Sequence, residues 1–101
     1  MKQCCKDYLM EQFGDEEVIG EIYEEYVKSF HEKITEIEAA LKAENWTELD
    51  HLAHALKGNS LATGDNSVAD VAIALRVAAK MSDKDTAQSL FEKLKVLVTE
   101  I

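Results

Sequence analysis

The residues of this chain whose types and spacing suit chemistry lie between His51 and Gly64. The segment His51-Leu52-Ala53-His54-Ala55-Leu56-Lys57-Gly58 sets imidazole, ammonium and bare backbone side by side within an apolar pattern of helical period. A neutral imidazole, with an ordinary pKa of about 6.5, offers a free ring nitrogen as nucleophile at cellular pH. An ammonium one turn away supplies a point charge to a transferring phosphoryl group. Glycine inside a helix costs roughly 1 kcal/mol relative to alanine, so Gly58 implies a close approach from outside. Phosphoryl transfer needs little beyond in-line positioning and charge stabilisation, so this sparse set suffices if a partner supplies the metal.

Helical geometry separates the two histidines. At about 100° per residue the core direction lies among Leu49, Leu52, Ala53, Leu56 and Ser60, and His54 points about 140° away from it. His54 therefore faces solvent, with His51 and Gly58 as neighbours and Leu61 one turn beyond. Lys57 falls at the border of the core face. His51 is read as a surface residue, or as a residue that tunes His54 through charge or a hydrogen bond.

Five helices are expected to position this segment. The first runs from Lys2 to Phe13, docks through Tyr8, Leu9 and Phe13, and stops at Gly14. Asp15 caps a second helix from Glu16 to about Ala43, whose apolar stripe contains Val18, Ile19, Ile22, Tyr23, Tyr26, Val27, Phe30, Ile34, Ile37 and Leu41. Asn45-Trp46-Thr47-Glu48 starts the third helix, which carries the motif and ends at Gly64 in a left-handed turn. Asp65 or Asn66 caps the fourth, with the stripe Val68, Val71, Ala72, Leu75, Ala78 and Ala79. Those small residues imply close approach to a neighbouring helix. The fifth follows Ser82-Asp83-Lys84-Asp85 and presents Ala87, Leu90, Phe91, Leu94, Leu97, Val98 and Ile101. Short connections predict an all-α, antiparallel up-down four-helix bundle with a short additional N-terminal helix, formed by residues 1–101 as a single domain.

Composition narrows the function. Twenty acidic residues against eleven basic ones give a formal net charge of −9, which opposes binding to nucleic acid or an anionic membrane surface. Proline is absent and glycine occurs four times, in keeping with a nearly all-helical chain. Cys4 and Cys5 are adjacent and cannot close a useful loop, so they are read as reduced thiols in a fraying terminus. No secretory or membrane-spanning segment stands out, which places the chain in the cytoplasm. Glu48-Leu49-Asp50-His51 is a lone Glu-x-x-His half-site pointing away from the core, so no metal centre is expected. His31 reads as a solvated surface residue, and no phosphate-binding loop or catalytic triad is present.

His54, Leu56, Lys57, Gly58 and Gly64, in the pattern H-x-L-K-G with a glycine ten residues after the histidine, resemble the histidine-containing phosphotransfer (HPt) domains of bacterial multistep phosphorelays. The resemblance takes in Trp46 at the start of the motif helix and the long helix before it, and it departs after Gly64, where Asp65-Asn66-Ser67 replaces a small or apolar continuation. It implies that His54 accepts phosphate, Lys57 stabilises the phosphoryl group and Gly58 gives a receiver domain access; docking is expected on the face around His54 and Gly58, with Leu61, Ala55 and the nearby surface of the long second helix as contact positions. By the same resemblance, the chain is a stoichiometric carrier without an ATP site. Mg²⁺ comes from the receiver, and the partners are receiver domains of response regulators or hybrid histidine kinases. Because a receiver's site is acidic in that family, Lys57 needs support from a local positive zone, for which Arg76 and Lys80 are candidates. A monomer is expected, since the apolar stripes are used within one bundle. The competing class is a helical regulatory module that binds a receiver or kinase without carrying phosphate. Met1 favours a chain of its own, while the end at Ile101, within the last helical pattern, leaves open a domain of a larger hybrid kinase.

Overall fold

The computed structural model describes residues 1–101 and contains α1 (Gln3–Phe13), α2 (Glu16–Lys42), α3 (Trp46–Thr63), α4 (Asn66–Lys80) and α5 (Lys84–Leu97), closed by a 3₁₀ turn, Val98–Glu100. There are no strands. Local signals set most of the boundaries. The Asp15 carboxylate accepts from the N–H groups of Glu17 and Val18, Asn45 Oδ1 from Glu48, and Asp83 Oδ1 from Thr86, each satisfying donors that the first helical turn leaves open. Gly14 and Gly64 end α1 and α3 with φ of 66° and 78°. Glu44 and Ser82 take the same left-handed turn, at φ 51° and 52°, after α2 and α4.

Each of α2 and α4 packs against both α3 and α5, and the four enclose one apolar core. Phe30, Ile37, Leu49, Leu56, Leu75, Phe91 and Leu94 are its largest fully buried members. The pair α3 and α4 is the most extensively packed, as the alanines of α4 lead one to expect: Ala69, Ala72, Ala78 and Ala79 are all buried and let the two backbones approach. Val71 is only half-buried, and Ala69 takes a core place that the stripe did not include.

The lengths of the helices explain the N-terminal element. α2 has 27 residues against 18 in α3, so at 1.5 Å per residue its first turns outreach its partner by roughly 13 Å. α1 packs chiefly on α2, with Leu9 and Cys5 fully buried. Several expectations are corrected here. Cys5 lies in the core and not in a frayed end, while Cys4 alone is exposed. Phe13 and Val18 flank the α1–α2 turn at the extremity of the molecule, where no third helix covers them, and they are 54% and 38% exposed. Tyr8 docks as expected, 36% exposed and directly against Gly64, where an added Cβ would overlap Tyr8 Cβ and come within 2.7 Å of Tyr8 Cγ. Val98 lies beyond α5, in the 3₁₀ turn, and Ile101 follows it, both still packed against the core.

Asp65 differs most from its expected role. It occupies the N-cap position of α4 but its side chain makes no cap hydrogen bond. The carboxylate turns inward to full burial, where Lys2 Nζ donates to Oδ1 at 2.8 Å and Tyr26 Oη donates to Oδ2 at 2.8 Å. Tyr23 Oη accepts the Lys2 backbone N–H at 3.2 Å. Burial opposes the charge on Lys2, but hydrogen bonding to Asp65 and the charge of Asp65 outweigh it and raise the ammonium above its ordinary pKa. Burial, followed by the charge of Asp65, pushes the Cys5 thiol up to about 12.

Candidate functional site

Helix α3 holds every residue of the motif. Its core side is Leu49, Leu52, Ala53, Leu56 and Ser60, all buried, and Ser60 Oγ donates to the Leu56 carbonyl at 2.8 Å to satisfy its hydroxyl. Burial of that face holds the opposite one outward. His51, His54, Gly58 and Leu61 are exposed, and Ala55 and Lys57 are half-buried. At Gly58 an added Cβ would meet nothing within 4 Å, so nothing in the fold itself requires glycine there.

The two sides of α3 differ. One faces α2, marked by the hydrogen bond from Asn59 Nδ2 to Ser29 Oγ at 3.0 Å. The other faces α4, marked by Arg76 Nε donating to Asp50 Oδ1 at 2.9 Å. By helical geometry His54 is about 40° from Asp50 and about 140° from Asn59, so the imidazole leans toward α4. Lys57 lies on that side as well, where it lines a groove of about 130 Å³ with Ile73, Arg76, Val77 and Lys80. Both basic residues of α4 named from the sequence thus gather beside Lys57. Ala55 lies about 100° from His54, toward α2.

Electrostatics on this side are ordered by Arg76. Its hydrogen bond holds the Asp50 carboxyl below the usual carboxylate range, helped by the charge of Lys80. The Asp50 carboxylate, one turn before His54, is thus already occupied by a guanidinium, which leaves Lys57 and Lys80 as the available positive charges. No group of three or more His, Cys, Asp or Glu side chains is placed to hold a metal ion. Glu48 and His51 are both exposed, and His31 is exposed on α2. Sequence reasoning missed Asp50, Ile73 and Val77. The signal was there for the last two, as an apolar pair four residues apart lying off the core direction of α4.

The Hpt domain family matches residues 21–101, from α2 to the end of the chain, and the chain belongs to this family of histidine phosphotransfer domains. Such domains are phosphocarrier modules of phosphorelays and work with receiver domains and kinases. The match leaves α1 outside. Comparison with curated proteins and with solved structures gives no match. No helix is long and apolar enough to cross a membrane.

Proposed function

We propose that His54 takes a phosphoryl group from the aspartyl phosphate of one receiver domain and passes it to the aspartate of another. A neutral ring nitrogen attacks phosphorus, the bond from phosphorus to the aspartyl oxygen breaks, and the carboxylate leaves; the second transfer runs the same exchange in reverse. Lys57 stabilises charge on the phosphoryl oxygens. Gly58 and Leu61 admit the partner, and Ala55 borders the same surface. Mg²⁺ is assigned to the receiver, as the family resemblance implies. His51 is a surface neighbour that tunes His54 at most.

The observation that carries this reading is the exposed His54 with Lys57 about one turn on and an unobstructed Gly58 beside them, in a chain of the Hpt family. The same reading treats residues 1–101 as one cytoplasmic, monomeric domain, with α2 to α5 as an antiparallel up-down bundle and α1 across its end. The pairings Ser29–Asn59 and Asp50–Arg76 support that arrangement.

The test is incubation with a phosphorylated receiver and Mg²⁺. Acid-labile, base-stable phosphate should appear on the chain, vanish in His54→Gln and persist in His51→Gln. A chain that binds receivers but is never labelled would instead be a regulatory module.

A further inference from the structure

The outer face of α4 is unexplained by the bundle. Ile73, Val77 and Met81 are 44%, 53% and 72% exposed, while Ala72, Leu75, Ala78 and Ala79 hold the opposite side of the helix in the core. The expectation of a monomer rests on apolar stripes used up within one bundle, and on this face they are not.

Spacing along the face has a regularity of its own. Asn66, Asp70, Ile73, Val77 and Lys80 are all exposed and follow one another by four, three, four and three residues. They fall within about 80° of one another around the helix. That is the alternation of a coiled-coil seam, in which each step returns a side chain to the same partner helix. The centre of the seam is β-branched, Ile73 and Val77. Its ends are charged, with Asp70 toward the N-terminus and Lys80 toward the C-terminus.

Charge fixes the direction in which such a seam pairs. Neither Asp70 nor Lys80 belongs to an ion pair within the chain, whereas Arg76 on the flank is held by Asp50 at 2.9 Å. Two α4 helices laid antiparallel about a two-fold axis at the level of Leu75 set Ile73 against Val77 of the second copy and Asp70 against its Lys80, each contact made twice. Laid parallel, they set Asp70 against Asp70 and Lys80 against Lys80. The seam itself is neutral, on a chain whose net charge of −9 opposes contact between copies over its acidic surfaces.

We propose that the outer face of α4 is a self-association surface, on which a second copy of this chain docks with its own α4 antiparallel to the first. The inference goes beyond the carrier reading and does not depend on it. Each bundle is complete as a monomer, and the pair joins two finished folds. Two apolar layers place the contact among small, transient interfaces, under about 1,200 Å², so the pair is weak and forms only at high concentration. Ile73 and Val77 also wall the groove that Lys57 lines, and pairing closes it.

Sedimentation equilibrium of the full chain from about 10 µM to about 1 mM tests the proposal. The average mass should climb from 11.3 kDa toward twice that value. Val77→Glu sets a carboxylate without a partner in the middle of the seam and should lower the association constant at least about tenfold. Asp70→Lys alone and Lys80→Asp alone each bring like charges face to face, and each should weaken association by roughly three- to tenfold. The two exchanges combined restore the antiparallel complement and should return association to near the wild-type level. Thermal unfolding first shows every variant to be folded, as substitution at exposed positions leads one to expect. A wild-type mass that stays at 11.3 kDa up to about 1 mM overturns the proposal and leaves the face to a protein of another sequence. Association that survives Val77→Glu puts the contact elsewhere on the molecule, and failure of the combined exchange to restore it rejects the antiparallel seam; either result overturns the proposal as well.

Discussion

Polar groups are treated in opposite ways at two places along helix α3. In its middle, His54 is exposed beside an open glycine, with its imidazole turned to solvent. Just past its C-terminus, Asp65 is fully buried and both carboxylate oxygens are engaged, one by Lys2 and one by Tyr26. No buried side-chain nitrogen or oxygen in the chain lacks a partner. A nucleophile has to keep a nitrogen free for phosphorus, whereas a carboxylate removed from water is tolerable only when its lone pairs are occupied. The first region therefore stays sparse, and the second becomes the clasp that ties α1, lying outside the family match, to the start of α4.

Asp65→Ala and His54→Gln should separate these regions most widely. Removing one member of a buried pair costs about 3–5 kcal/mol, and the low end applies here because Lys2, 15% exposed, can swing out to water. His54→Gln should change stability by less than about 0.5 kcal/mol, as for an ordinary surface substitution, while abolishing phosphate labelling. Urea unfolding of both variants makes the comparison. Equal midpoints would break it.

The glycines sharpen the contrast. Gly64→Ala forces a side chain into a left-handed backbone at φ 78° and against Tyr8, and should destabilise by about 1–3 kcal/mol. Gly58→Ala should do the reverse, stabilising α3 by up to about 1 kcal/mol while slowing transfer from a receiver, since a methyl there obstructs the partner and nothing else. Gly20→Ala in α2 is the control, because its added Cβ also meets nothing within 4 Å. It should gain similar stability at unchanged transfer. If both alanines left transfer untouched, Gly58 would not be an access point.

The smallest effect is a pH dependence confined to the clasp. Burial pushes up the pKa values of Cys5 and Tyr23, and burial together with donation to Asp65 does the same for Tyr26. Lys2 is raised as well. Each folded pKa lies above its unfolded value, so the folded chain retains protons that the unfolded chain releases. The stability from these groups is complete below about pH 8.5, where the unfolded thiol begins to titrate, and declines from there through the tyrosine and lysine range. Thermal unfolding at pH 7, 9 and 10.5 should show that decline in the wild type and a shallower one in Asp65→Asn. A slope unchanged by Asp65→Asn would show that the clasp is not its origin.

Much of this molecule is legible within single helical turns. Asp15 and Asn45 cap where their spacing to the next N–H groups predicts, the start signal around Ser82 to Asp85 resolves to Asp83, Gly14 and Gly64 stop their helices, and the 100° step puts His54 outside and Leu56 inside. Such signals need only a residue and its neighbours three or four positions away, so a linear reading reaches them. The same local logic made Asp65 a cap. Tertiary structure decided otherwise, because the overhang of α2 draws α1 across the end of the bundle and brings Lys2, 63 positions away in sequence, to the carboxylate. The burial of Cys5, the contact of Tyr8 with Gly64 and the convergence of Lys57, Arg76 and Lys80 have the same character. The sequence by itself determined the helices, their caps and the outward histidine. Which side of that histidine a partner meets, and which charges are held inside, depended on how helices of unequal length align, and that register exists only once the chain has packed.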